Sequence, residues 1–125
     1  MYQFPKVKSL RGELKRTEIR NRVRYQLTTK EFIQQRGRTT YRIAIDNILG
    51  FIECSDSEFS RHLAPGIGYE PDRFGRAYKI VASLLHHVTD NGVIEQTHVS
   101  FYTRLSASFA KQLESILAAG KAPIQ

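Results

Sequence analysis

The chain has 125 residues, 41% of them hydrophobic and 25% charged, with a formal net charge of +7. That length and balance suit one globular domain with a single core, taken here as residues 1–125, and exclude a disordered basic tail. No run approaches the ~18–20 apolar residues that cross a bilayer, residues 1–12 lack the apolar middle of a secretory leader, and the single cysteine permits no intrachain disulfide, so the expectation is a cytoplasmic protein without a transmembrane segment.

The positive charge is concentrated at the start. Residues 1–42 hold twelve Lys/Arg against three acids, and residues 43–125 hold seven against nine. Same-sign charge on neighbouring strands repels unless an anion compensates it, so the first third is expected to face something acidic. Its densest run is Lys15-Arg16-Thr17-Glu18-Ile19-Arg20-Asn21-Arg22-Val23-Arg24. A guanidinium offers forked donors to phosphate and a plane that stacks on a base. The same run also reads as an edge strand blunted by charge.

Residues 23–28 and 32–35 are β-rich and separated by a polar turn. Arg36-Gly37-Arg38 supplies the next turn, which this reading places away from the run that holds Arg16 and Arg20. In residues 41–45, Tyr41, Ile43 and Ile45 alternate with Arg42 and Ala44, the period of a half-buried strand. Residues 48–54 form another, with Cys54 expected to be a buried, inert thiol. Residues 55–77 hold Pro65, Gly66, Gly68, Pro71 and Gly75 and are read as a long loop, whose Arg61, Arg73 and Arg76 can lend charge to a site.

Asn91-Gly92 is the strongest hairpin signal in the chain. It predicts pairing of residues 78–89 with 93–103, Leu84 opposite Val99 and Ala82 opposite Phe101, with Ile80, Ala82, Leu84 and Val88 facing the core. Leu105, Phe109, Leu113, Ile116 and Leu117 recur at helical spacing, with Thr103 or Ser106 as cap and Gly120 as stop. They predict a C-terminal helix over 104–118 that closes the sheet. The fold class is therefore mainly β: a small antiparallel barrel or roll of six or seven strands with a C-terminal α-helix.

Catalytic signatures are lacking. His86 and His87 point to opposite faces of a strand, and His87 with His98 makes only two imidazoles where zinc needs three or four ligands. There is neither a phosphate loop nor a nucleophile motif. The expectation is a non-enzymatic protein with no metal and no cofactor.

Arg16-x-x-x-Arg20 ahead of a strand, followed by residues 41–52, resembles the two signatures of PilZ domains, the bacterial receptors for cyclic di-GMP. Those signatures are an Arg-x-x-x-Arg pair and, further along, a strand entering Asp/Asn-x-Ser-x-x-Gly. Asp46 fills the first position of the second motif, Ile48 stands where Ser is expected and Phe51 where Gly is, with Gly50 one place early. Residues 97–101, Leu105 and the helical run 109–117 are similar to that family's last strand and closing helix. The resemblance implies a cyclic dinucleotide receptor in which Arg16 and Arg20 clamp phosphate and stack on guanine. Asp46 would accept from the guanine edge, Gly50 would shape the turn beside it, and Arg22 and Arg24 would strengthen the field. It implies signalling through altered contacts with a downstream protein, and the symmetry of the ligand suits a homodimer.

Two other readings share these residues. Seven strands and a C-terminal helix also resemble pleckstrin-homology-like domains, if residues 6–15 form the first strand. Lys15, Arg22 and Arg24 then match the basic pattern that holds inositol phosphates in the first hairpin. Tyr25, Phe32 and Tyr41 beside a basic face would serve a module for single-stranded nucleic acid, although core packing explains at least Tyr41.

Overall fold

Short turns assemble the first half of the sheet in the computed structural model, which describes residues 10–62 and 75–120. Asn21 and Arg22 have φ of 51° and 65°, the doubly left-handed pair that matches strand twist in a type I′ hairpin. They join β1 (Leu14–Arg20) to β2 (Val23–Thr28). At the next turn the Thr28 hydroxyl accepts the N–H groups of Lys30 (3.0 Å) and Glu31 (2.9 Å), which starts β3 (Glu31–Arg36). Gly37, at φ 60°, turns the chain into β4 (Thr39–Ala44). A 3₁₀ turn over Ile45–Asn47 kinks the backbone into β5 (Ile48–Glu53). Residues 45 to 53 thus continue the line of β4.

The last two strands are long: β6 (Arg76–Thr89) and β7 (Gly92–Leu105) pair antiparallel over their whole length. On its other edge β6 receives β5 along 78–82 and β4 along 86–88. The seven antiparallel strands form one rolled sheet that does not close. Across its inward face lies α2 (Ala107–Gly120), whose Phe109, Leu113 and Leu117 bury against Val23, Leu27, Phe32, Ile43 and Ile80. Phe32 and Tyr25 meet Phe109 edge to face, with centroids 5.8 and 6.2 Å away. Among the described residues no helix is long and apolar enough to cross a membrane.

The fold class is as expected, and several details differ. Among the described residues the first strand is Leu14–Arg20; of the stretch 6–15, residues 6–9 lie outside the described part and residues 10–13 carry no strand. The last helix begins at Ala107, where Ser106 is its cap: the Ser106 hydroxyl accepts the Phe109 N–H at 3.1 Å, and Leu105 belongs to β7. The stretch read as loop contains α1 (Asp56–Arg61), capped by Ser55, and β6 already starts at Arg76. Residues 63–74, with Arg73 among them, fall outside the described part.

The β6–β7 register is shifted by two residues from the expected one. Leu84 faces Thr97, Ala82 faces Val99 and Ile80 faces Phe101. The cause is local: Thr89 Oγ1 accepts the Asn91 N–H at 3.1 Å, so the turn is Asp90-Asn91 and Gly92 already pairs with Thr89. The inward face of β6 also changes parity, from Ile80 and Ala82 to Leu85, and leaves Leu84 and Val88 outside the core. That change coincides with His98, whose φ of 52° interrupts β7 opposite Ser83. In consequence His87 lies on the inward side, stacked on Tyr41, rather than outward beside His98.

Candidate functional site

Alternation along β1 puts Arg16, Glu18 and Arg20 on one face. Arg16 donates from Nη1 to Glu18 Oε2 at 3.0 Å and from Nε to Gln112 Oε1 on α2 at 2.8 Å. Arg20 Nε lies 3.6 Å from Glu18 Oε1. The two guanidinium side chains are 35% and 44% exposed, and Glu18 between them is only 14% exposed. Glu18 Oε2 also accepts the hydroxyl of Ser106, the cap of α2, at 2.9 Å. One carboxylate thus holds both arginines and the start of the helix.

The remaining sequence candidates disperse. Arg22 occupies the β1–β2 turn. Arg24 pairs with Ile19 and Gln35 across the ladders, so it faces away from Arg16 and Arg20, and its guanidinium donates to Gln35 Oε1. Asp46 is exposed on the 3₁₀ turn and Gly50 lies in β5 opposite Val81. In strand order β5 is separated from β1 by four strands. A Cβ at Gly50 would make only ordinary contact, 3.8 Å from Val81, so nothing there demands glycine. Arg61 ends α1, and Arg76 is tied to Glu53 at 2.8 Å. Among the described residues no three metal-ligating side chains converge. Cys54 is half-buried just after β5. Burial, reinforced by Glu58, holds its thiol above the usual range, which makes it a weak nucleophile.

A second feature escaped the sequence reading. Cross-strand pairing lines up Glu18, Tyr25, Gln34, Tyr41 and His87 as one row on the inward face. The roll brings β7 over this row, and Thr103 Oγ1 donates to Gln34 Oε1 at 2.6 Å. Beside that bond a cleft of about 300 Å³ opens between β7, the row and α1. Two stacked pairs line it: Tyr41 with His87, centroids 4.7 Å apart, and His62 with Tyr102, 4.3 Å apart. Phe101 lies 5.2 Å from Tyr41. Arg36, read from the sequence as part of a turn, is the last residue of β3 and lines this cleft. Arg104 lines it too, 5% exposed, bonded to Asp56 at 2.7 Å and stacked over Phe59. Tyr25 and Phe32 are buried in the core, which withdraws them as open platforms for nucleic acid.

No protein-family model, no curated protein and no solved structure matches this chain.

Proposed function

We propose that this chain is a non-enzymatic receptor for a cyclic dinucleotide, cyclic di-GMP in the first instance, with Arg16 and Arg20 holding its phosphates. The observation that carries the reading is the shared carboxylate. Glu18 occupies both guanidinium groups in the free protein, and a phosphate offers the same fork geometry with more acceptor oxygens. A ligand that takes the arginines releases Glu18, and with it the tether on Ser106 at the start of α2. Occupancy then reaches the helix surface, the natural route to a partner protein. The reading rests on β1 and assigns no role to Asp46 or Gly50.

Calorimetry with cyclic di-GMP, cyclic di-AMP, inositol phosphates and single-stranded oligonucleotides tests it. A charge-assisted hydrogen bond is worth about 1.5–3 kcal/mol, so Arg16→Ala or Arg20→Ala should each weaken dinucleotide binding roughly 10- to 150-fold. Arg20→Lys should recover little of that, because lysine keeps the charge and loses the fork. Full recovery by lysine, with affinity that follows salt rather than position, would reduce the segment to a general anion patch.

One observation favours a second reading. Lys15, Arg22 and Arg24 all belong to the first hairpin, with Arg22 in its two-residue turn. This is where a pleckstrin-homology-like domain would hold an inositol phosphate. Co-sedimentation with anionic vesicles, in a protein that ignores dinucleotides, would select it.

A further inference from the structure

We propose that the cleft between β7 and the Gln34–Tyr41–His87 row binds a purine nucleotide, base inward and phosphate at Arg36. This goes beyond the arginines of β1 and stands if they bind nothing. The lining includes two arginines and two histidines, and no carboxylate among the described residues. Two carboxylates stand behind the wall, Asp56 bonded to Arg104 and Glu58 accepting the Tyr102 hydroxyl at 3.1 Å, so the pull on an anion falls to Arg36. Its walls are rings: Tyr41 and Tyr102 are half-buried, each ordered by a histidine stacked on it, and Phe101 lies between them. Rings held in this way offer π-faces to a planar base.

Two polar groups orient such a ligand. Gln34 is 4% exposed, gives its amide oxygen to Thr103, and has no partner for its amide nitrogen among the described residues. A donor that opens into the cleft suits a ligand acceptor, and the guanine carbonyl is one where the adenine amino group is not. Arg36 makes no ion pair among the described residues, in contrast to Arg104, which is bonded to Asp56. At about 300 Å³ the space stands at the small end of ligand sites and has room for one nucleotide.

The test is an NMR titration of the full chain with GMP, AMP, guanosine and inorganic phosphate, read at the aromatic side-chain signals. GMP should move the rings of Tyr41, Tyr102, His62 and His87, AMP and guanosine should bind more weakly, and phosphate alone should leave the rings unmoved. Arg36→Gln, a change at the rim that spares the core, should weaken GMP roughly 10-fold, the weight of one charge-assisted hydrogen bond. The double variant Arg16→Ala/Arg20→Ala should bind GMP as the parent does. Rings unmoved by GMP, equal movement with phosphate alone, full affinity in Arg36→Gln, or loss of GMP binding in the β1 double variant would each overturn the proposal.

Discussion

Two edge strands of this sheet, β1 and β7, carry opposite solutions to the same exposure. Among the described residues β1 pairs only with β2 and β7 only with β6, so each presents one free backbone edge. In β1, Lys15, Arg16, Glu18 and Arg20 crowd seven residues. In β7 the fourteen residues hold only Glu95 and Arg104 as charges, and Val93 and Ile94 stand 60% and 55% exposed. A charged edge repels other strands and attracts anions, whereas a charge-poor edge is protected only where something folds over it. For β7 that protection is confined to its second half, where the roll meets β3 and α1. The stability of the domain should therefore depend on β7 and its ligand chemistry on β1, with the aromatic cleft where β7 is covered.

The sharpest way to break this comparison is to remove an apolar side chain from each edge. Phe101→Ala on β7 should cost about 3 kcal/mol, the low end for such a truncation because the ring is half-buried. Ile19→Ala on β1, where the side chain is 61% exposed, should stay within about 0.5 kcal/mol. Urea denaturation of both variants decides the matter, and equal losses would end the distinction.

A smaller effect is expected where charge is the variable. Glu18→Ala removes a partly exposed ion pair and the Ser106 tether, for a stability loss of about 1 kcal/mol or less. It also removes the internal competitor of the ligand. Cyclic dinucleotide affinity should then rise about two- to five-fold. A fall in affinity would show that Glu18 orients the arginines rather than competing for them.

The smallest effect is one of pH, on β7. Burial, together with the hydrogen bond that its hydroxyl donates to Glu58 at 3.1 Å, raises the Tyr102 pKa above the ordinary phenolic value. The protonated phenol is thus favoured in the folded state. Its contribution is full below about pH 10, the unfolded value, and is lost as pH climbs through the raised folded value. Urea midpoints measured from pH 8 upward should fall above pH 10. Tyr102→Phe should flatten that decline only in part, since burial raises Tyr78 as well.

Much of this fold was legible because alternation within a strand is a local property. The strand at 23–28 followed from its β-rich composition and the inward set Tyr41, Ile43 and Ile45 from side-chain period, and the Phe109–Leu117 stripe placed the closing helix. Legibility failed where two elements had to be aligned. Asn91-Gly92 pointed to the correct hairpin and to the wrong turn, because one hydroxyl, Thr89 Oγ1, moved the loop by a residue and the register by two. Leu84 and Leu85 are indistinguishable by composition, and the interruption at His98 coincides with the change of face. At the candidate site, i to i+4 spacing along one strand put Arg16 and Arg20 together, while the pairing of Ile19 with Arg24 put Arg24 on the other side.

By itself the sequence determined that this is a β-rich domain, that a helix closes it, and that its positive charge gathers in the first hairpins. Those are properties of period, propensity and composition, each carried within a few residues. Only the tertiary structure decided that Glu18 bridges two arginines and the cap of α2, and that Arg36, Tyr41, His87 and Tyr102 line one cleft. These groups come from strands far apart in the chain. They meet because ladder registers and the packing of α2 set how far the sheet rolls, and no local pattern records that curvature.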